Sequence, residues 1–388
     1  MGSFPSSDDH LFCHKKGSML LIPYNPFHHS AGLVVNGRFR AQRITGVQRY
    51  AHEIVKRLPN TVQVLTPRLG RGAVGHLWEQ TALPLACHGR LLWSPNACGP
   101  LSYSNQIVTF HDLFPVENPE WYSTSYAHLY GVLMGTLARN AMHLIAVSEF
   151  TKSRIIKLFG RDPAEITVIP NGSHMTEPAS VESVAAAAVA LHLPTHRYVL
   201  SLSSIETRKN LRGLLQAWKD IHQKLPDDLW LILAGPKASE SVYSRQELPS
   251  DLPRVLYTGY VPEEHLPGLY TGASLFVCPS LAEGFGLPLL EAMACGRRSI
   301  SSCTSSLPEV GGDAAFYMDP AVPGDLARAM MHCLLDQPVT TDTYEPSVAQ
   351  AALFSWDHSA AQTYALLQTA PERISPLNSI ASERTTAQ

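Results

Sequence analysis

The sequence is short of charge, of patterned cysteine and of long apolar runs. Only 16% of its 388 residues are charged, and 30 Lys and Arg against 33 Asp and Glu leave a net charge of −3. A nucleic-acid binder needs a basic face to neutralise phosphates, so no nucleic-acid partner is expected. Cys13, Cys87, Cys98, Cys278, Cys295, Cys303 and Cys333 are odd in number and form no Cys-x-x-Cys pair. Neither a zinc framework nor a disulfide scaffold fits them, and scattered thiols suit a reducing compartment. No run of eighteen apolar residues occurs, so no bilayer span is expected. Pro5, Asp8 and Asp9 stand where a secretory signal would need a basic start and an apolar run. Met1-Gly2 with Ser6 fits the myristoylation pattern, which is short enough to arise by chance. A cytoplasmic protein is the expectation. Apolar residues, by contrast, reach 45%, enough for a sizeable core, and the length gives a prior of roughly two to three domains.

Two alternating series of strands and helices run along the chain. After a loose leader over 1–18, strands are expected at Met19–Tyr24, Leu33–Asn36, Val62–Thr66, Leu91–Trp93, Gln106–Phe110, Met142–Val147 and Ile166–Ile169. Helices are expected from Gly46, through Trp78–Leu85, and over Ser123–Asn140 and Ser148–Leu158. Glu177–Thr195 is Ala- and Ser-rich and reads as a linker with some helix. The second series has strands at Tyr198–Ser203, Leu229–Ala234, Val255–Thr258, Leu275–Cys278 and Arg298–Ser302, and helices at Leu211–Lys224, Pro262–Gly272 and Leu287–Cys295. Such alternation implies βαβ units and a parallel sheet covered on both faces. The fold class is therefore α/β, with two Rossmann-like doubly wound domains facing across a cleft. Their expected bounds are 1–180 for an acceptor-binding domain, 181–195 for the linker and 196–353 for a nucleotide-sugar-binding domain. A helix over 354–370 returns to the first domain, and 371–388 is a frayed tail. Ligands of such proteins bind at the carboxyl ends of strands.

Gly70-Arg71-Gly72-Ala73-Val74-Gly75 matches a dinucleotide fingerprint, but the acid expected about twenty residues later is missing, so a flexible glycine loop is the better reading. The strongest segment runs from Pro279 to Gly296. A strand enters a loop with Glu283, Gly284, Phe285 and Gly286, then a helix with Pro288 in its first turn and Gly296 past its end. Gly286 and Leu287 leave backbone N–H groups bare at a helix N-terminus, an anion seat. A Glu near a helix start is common for dipole reasons alone. That accounts for Glu291, placed here in the first turn, but not for the whole combination. Arg208-Lys209 would ordinarily be a solvated pair; just beyond a strand end they read as phosphate-binding cations, with Asn210 expected to cap the helix from Leu211.

The Glu283–Glu291 segment resembles the E-x7-E motif of the retaining family 4 glycosyltransferases of the GT-B fold. The resemblance extends from about Asn36 to Trp356, through Asn36–Phe39, Thr45–Tyr50, Phe110-His111-Asp112, Ala146–Lys152, Pro170-Asn171-Gly172, Thr207–Asn210 and Ser305–Val310. It implies that Glu291 accepts from the nucleoside ribose and that Glu283 holds hydroxyls of the transferred hexose. It further implies that the backbone at Tyr260-Val261 reads the base and that His111 lies near the donor sugar and the acceptor. His111 could equally be a structural histidine at a strand end. Gly46 would let the first domain approach the phosphates closely. Phe285, Gly286 and Leu287 complete the donor contacts. No Asp-x-Asp occurs, so cationic side chains are expected to replace a metal ion, and no cofactor is expected.

The pattern is most similar to bacterial mannosyl- and rhamnosyl-transferases of polysaccharide assembly. The implied reaction is retaining transfer of a hexose from a nucleotide sugar, GDP-mannose by expectation, to a glycan or polyprenyl-diphosphate-linked acceptor. A UDP-sugar epimerase of the same fold and a non-catalytic nucleotide-binding partner subunit are the alternatives. Arg297-Arg298 depart from the family's usual apolar or Pro-bearing stretch and are expected to change the charge near the donor. The helix with Tyr126, Leu129, Val132, Leu133 and Leu137 reads as core-facing. Trp121-Tyr122 beside it offer a weak peripheral contact with the inner face of the membrane.

Overall fold

The structure, a computed structural model, describes residues 32–42, 44–239, 241–244, 247–249, 251–336 and 342–369. The expected leader, the strand at Met19–Tyr24 and the tail beyond 370 lie outside these residues. Two six-stranded sheets account for the α/β reading. The first holds β1 (Leu33–Asn36), β2 (Gln63–Leu65), β3 (Leu91–Ser94), β4 (Gln106–Phe110), β5 (His143–Ala146) and β6 (Ile166–Val168) in the order 2-1-3-4-5-6. The second holds β7 (Arg197–Leu202), β8 (Leu229–Ala234), β9 (Val255–Gly259), β10 (Leu275–Cys278), β11 (Ser299–Ser302) and β12 (Phe316–Met318) in the order 12-11-10-7-8-9. Pairing is parallel throughout both ladders.

Each sheet has one place where the strand order reverses. In the first it lies between β1 and β3, and in the second between β7 and β10. Chain leaving adjacent strands there departs to opposite sides and opens a crevice for a ligand. The central strands are buried on both faces: Leu33–Asn36, Leu91–Ser94, Gln106–Phe110 and Leu275–Cys278 are buried at every residue. This is why they read as unbroken apolar runs rather than alternating ones.

The differences from expectation have local causes. The helix expected through Trp78–Leu85 is two helices, Gly72–Gln80 and Ala82–Cys87, broken at Thr81, whose φ and ψ of −120° and −68° are not helical. Gly70–Gly75 is a tight helix entry, not a flexible loop. A Cβ at Gly75 would lie 2.2 Å from the Gly70 carbonyl oxygen, and Arg38 Nε donates to that same oxygen at 3.2 Å. Within Glu177–Thr195, residues Val181–Ala190 form a helix capped by Ser180. It packs so closely on the helix Leu266–Thr271 that a Cβ at Gly268 would meet the Ser183 carbonyl at 2.3 Å. The C-terminal helix Trp356–Thr369 returns to the first domain, where Trp356, Ala360, Leu366 and Leu367 join Tyr50, Ala51 and Ile54 of the helix Gly46–Arg57 in one core.

Candidate active site

The reversal point of the second sheet gathers the charged residues. Arg208 and Lys209 follow β7, and Glu283 follows β10, its neighbour in the sheet. Arg208 donates through one terminal nitrogen to Glu283 Oε2 at 2.6 Å and through the other to Glu206 Oε1 at 2.8 Å. Lys209 Nζ donates to Glu283 Oε1 at 2.6 Å, and Ser280 Oγ donates to the same oxygen at 2.7 Å. All four charged side chains are nearly excluded from solvent. Burial alone would raise the Glu283 pKa, but Arg208 and Lys209 outweigh it and hold the carboxyl at about 2. Burial works against the Arg208 charge too, and Glu206 and Glu283 more than offset it. Arg208 Nε and Glu206 Oε2 are buried with no hydrogen-bond partner among the described residues. A carboxylate offers about four lone-pair positions. Three on Glu283 are taken by protein donors, which leaves one on Oε2.

Glu206 was not among the sequence-derived candidates, although it stands two residues before Arg208. Asn210 corrects another expectation. It occupies the helix N-cap position, but its φ of 52° turns the side chain away from capping, and Nδ2 donates to the Pro279 carbonyl at 3.1 Å. Asn210 thereby fastens the loop after β7 to the loop after β10.

Gly286 takes the N-cap of the helix Leu287–Ala294 with φ of 112°, a left-handed conformation that favours glycine. No side chain caps that helix, so its first N–H groups are open to an anion. Phe285 beside it is buried against Phe354, their ring centroids 5.7 Å apart. Glu291 lies in the second turn rather than the first. It accepts from Tyr270 Oη at 2.8 Å and from Arg49 of the first domain at 3.2 Å. Arg49 also donates to Glu263 at 2.5 Å. It therefore ties Glu291 to the stretch just beyond Tyr260-Val261. Tyr260 is exposed and Val261 is buried. A cavity of about 670 Å³ opens at the ends of β7, β8 and β9, lined by Ser203, Gly235, Lys237, Tyr257 and Gly259 among others.

The first domain closes on this cluster at several points. A Cβ at Gly284 would sit 1.8 Å from the His111 carbonyl oxygen, so here only glycine permits the backbone approach. Ser148 Oγ donates to the Gly284 carbonyl at 2.7 Å. Glu309 accepts from the backbone N–H groups of Glu149 and Phe150, each at 2.7 Å, at the start of the helix Glu149–Phe159. Two segments singled out separately in the sequence, Ala146–Lys152 and Ser305–Val310, are thus partners across the cleft. Gly46 faces the start of the helix Leu287–Ala294, where a Cβ would meet Leu287 Cδ1 at an ordinary 3.4 Å. The tight backbone approach between the domains is at Gly284. His111 Nε2 donates to the Pro95 carbonyl at 2.9 Å, with the ring edge-on to Tyr50. Burial pushes its pKa down to about 4, so it is neutral at physiological pH. Its carbonyl meets Gly284 of the second domain, while its ring contacts Pro95 and Tyr50 of the first.

Two further expectations are corrected. Arg297 is buried and donates to the carbonyls of Cys295 and Ala273, at the far end of the helix Leu287–Ala294 from Gly286. Arg298 lies 5.1 Å over the Tyr344 ring. Neither adds charge beside Glu283. Tyr122 is buried, stacks on Tyr243 of the second domain at 5.3 Å and forms an antiparallel bridge with it; Trp121 packs on Phe114. The aromatics offered for a membrane surface are part of the domain junction. Along the helix Thr124–Asn140 the expected stripe is only partly internal: Leu133 and Leu137 are buried, while Leu129 and Val132 are exposed. Among the described residues, no helix is long and apolar enough to cross a membrane.

Two parallel doubly wound domains facing across a cleft have the architecture of the GT-B class. Anabaena HepE, solved with UDP and glucose, superposes with a TM-score of 0.64 over 87% of this chain and 99% of its own, at 17% identity. WaaG, a glycosyltransferase of lipopolysaccharide biosynthesis, gives 0.63 over 87% and 98%, at 13% identity. At these identities the likeness shows the fold alone. In sequence, residues 187–347 match the model of glycosyl transferases group 1, and 86–176 match glycosyltransferase family 4. The O-antigen chain mannosyltransferase B of Escherichia coli is 30% identical over 82% of this chain and 95% of its own length. A serotype-specific mannosyltransferase, WbdA, of the same organism is 31% identical over 66% of this chain, which spans about a third of that relative. The chain belongs to the family 4, group 1 glycosyltransferases.

Proposed function

We propose that this glycosyltransferase moves mannose from GDP-mannose to the end of a glycan in polysaccharide assembly, with retention and without a metal ion. The observation that carries the reading is the pair Arg208 and Lys209 converging on Glu283 at the mouth of an uncapped helix. Breaking a sugar–phosphate bond builds negative charge on the leaving diphosphate. Preorganised cations and backbone donors in a dry site stabilise that charge strongly. Arg208 and Lys209 bind the phosphates, joined by the N–H groups at Gly286 and Leu287. Glu283 holds both cations in place and offers its remaining Oε2 position to a hexose hydroxyl. Glu291 accepts from the ribose, and the backbone at Tyr260-Val261 meets the base.

The acceptor hydroxyl oxygen bonds to the anomeric carbon on the face from which the phosphate oxygen departs. Its proton passes to that leaving oxygen, so nucleoside diphosphate and a glycoside of unchanged configuration result. Neutral His111 positions the sugar rather than taking the proton as a strong base. Mannose and a glycan acceptor are supported by the names of the two Escherichia coli relatives.

The test is a donor screen with purified protein, GDP-mannose against UDP-glucose and UDP-N-acetylglucosamine, with mannotetraose as acceptor. The product is read by mass and by the anomeric carbon–proton coupling. Mannose transfer with the donor's own configuration is expected. Transfer from a UDP-sugar alone overturns the donor assignment, an inverted product overturns retention, and donor turnover without acceptor favours an epimerase.

A further inference from the structure

The carboxylate of Glu291 is held from both domains. Within its own domain Tyr270 Oη donates to Oε2 at 2.8 Å; burial and Glu291 itself push the Tyr270 pKa up, so the hydroxyl stays a donor. From the first domain Arg49 Nη1 donates to Oε1 at 3.2 Å, while Nη2 donates to Glu263 at 2.5 Å. The His174 ring stands beside both groups, its Nδ1 3.5 Å from Glu291 Oε1 and 3.4 Å from Arg49 Nη1. The His174–Glu291 separation exceeds the roughly 3.2 Å reach of an N–H···O bond, so Tyr270 and Arg49 are the donors that count.

The fold fixes Arg49 in this place. It closes the first turn of the helix Gly46–Arg57, its N–H donating to the Thr45 carbonyl at 2.8 Å, and the next residue, Tyr50, is buried in the core shared with Trp356. Leu287, at the start of the helix that carries Glu291, packs on that same core. A guanidinium is planar and forked, so its two terminal nitrogens can bridge two carboxylates where a lysine supplies one point charge. Glu263 is more than half exposed and Glu291 almost wholly buried. The first anchors the fork at the rim of the cleft, and the other nitrogen sets the buried carboxylate.

A carboxylate offers about four lone-pair positions. Tyr270 takes one on Oε2 and Arg49 one on Oε1, which leaves one on each oxygen. Two vicinal hydroxyls can fill such a pair together, as a forked guanidinium donates to both oxygens of one carboxylate. We infer that Arg49 is a positioning residue for the donor: acting from the first domain through Glu291, it sets the carboxylate to meet both ribose hydroxyls of a nucleoside diphosphate at once. The inference rests on the proposed contact between Glu291 and the ribose, and names the residue that makes that contact selective for ribose over deoxyribose. With Tyr270 alone the carboxylate pivots about a single hydrogen bond, and one of its oxygens is free to turn away.

The competing reading has Arg49 block the ribose seat until a ligand displaces it. The position still open on Oε1 argues against it, because Arg49 and a ribose hydroxyl need not share one lone pair. The two readings predict opposite effects of removing Arg49 on nucleotide affinity.

Calorimetric titration with GDP, 2′-deoxy-GDP and inorganic pyrophosphate tests the inference on the wild type, on Arg49→Gln and on Arg49→Lys, which keeps a charge beside buried Glu291 but cannot bridge to Glu263. The wild type is expected to bind GDP roughly tenfold more tightly than 2′-deoxy-GDP, the scale of one hydrogen bond to a charged group. In both variants GDP should bind more weakly and most of that preference should vanish. Pyrophosphate, which reaches only the Arg208 and Lys209 cluster, should bind as in the wild type and so reports that the site is folded. An undiminished preference in either variant, tighter GDP binding by Arg49→Gln, or an equal loss of pyrophosphate overturns the role of Arg49 and leaves the ribose contact standing. Equal affinity of the wild type for GDP and 2′-deoxy-GDP overturns the ribose contact and the role of Arg49 with it. Binding of UDP without binding of GDP overturns the guanosine assignment alone, and UDP with 2′-deoxy-UDP then makes the same comparison.

Discussion

The two sheets reverse their strand order in the same way, yet the two reversal points are chemically unlike. Beyond β7 and β10 the buried groups include Arg208, Lys209, Glu206 and Glu283, two cations and two carboxylates, with Arg208 Nε and Glu206 Oε2 unpartnered among the described residues. Beyond β1 and β3 there is one self-cancelling ion pair, Arg38 donating to Glu79 at 2.6 Å, and a row of stacked tyrosines. Under the proposed function the charged half meets charge that grows during reaction, whereas the other half presents no uncompensated ion. A shared topology places a crevice; the residues at its rim decide what enters it.

The sharpest way to break this contrast is to remove a cation from the charged half. Lys209→Ala or Arg208→Ala is expected to lower turnover by about 10²-fold or more, ~3 kcal/mol, the size seen when one donor to a developing oxyanion is lost. GDP affinity, measured calorimetrically, should weaken in parallel. Because each change leaves buried Glu283 short of a partner, the melting temperature should also fall. Kinetics and GDP affinity equal to wild type in both variants would remove these residues from the site.

The next test concerns the neutral half. His111 has a folded-state pKa near 4, below the value of about 6.5 of an unperturbed histidine. The unfolded chain therefore binds more protons between those limits. The His111 contribution to stability is fully present above about pH 6.5 and is lost as pH falls towards 4. Urea unfolding at pH 7 and pH 5 should show a larger loss in the wild type than in His111→Gln, and identical losses would place the imidazole in water. Glu283 works lower on the scale. With its pKa held at about 2, its contribution is present above about 4.3 and is lost as pH falls from there towards 2.

The smallest effect is expected where the halves meet. Glu309→Gln keeps the shape but removes the charge that faces the Glu149 and Phe150 N–H groups. A charge near a helix N-terminus contributes about 0.3–1 kcal/mol. A rise of several-fold at most in donor KM is expected, with the melting temperature little changed. A loss comparable to that of Lys209→Ala would make the junction part of the chemistry.

Much of this was legible in the sequence, because buried parallel strands are unbroken apolar runs with marked ends. Gln106–Phe110, Leu229–Ala234 and Leu275–Cys278 fall where they were expected. Strand β12, Phe316–Met318, was not foreseen; it has three residues, half-exposed Phe316 and exposed Tyr317 among them, and no apolar run to announce it. At the site, Arg208, Lys209 and Glu283 could be grouped because each follows a strand end. Glu206, two residues before Arg208, follows the same strand and was passed over. Arg49 could not be grouped with them, because it reaches Glu291 from 242 positions away along the chain. Gly284 shows the same limit: only the 1.8 Å from its would-be Cβ to the His111 carbonyl oxygen tells that this position needs glycine.

If side-chain cations rather than a metal ion neutralise the leaving diphosphate, turnover of purified protein with GDP-mannose and mannotetraose survives excess EDTA. Activity equal to that without chelator is predicted. Complete loss on chelation, restored by manganese or magnesium, would contradict it.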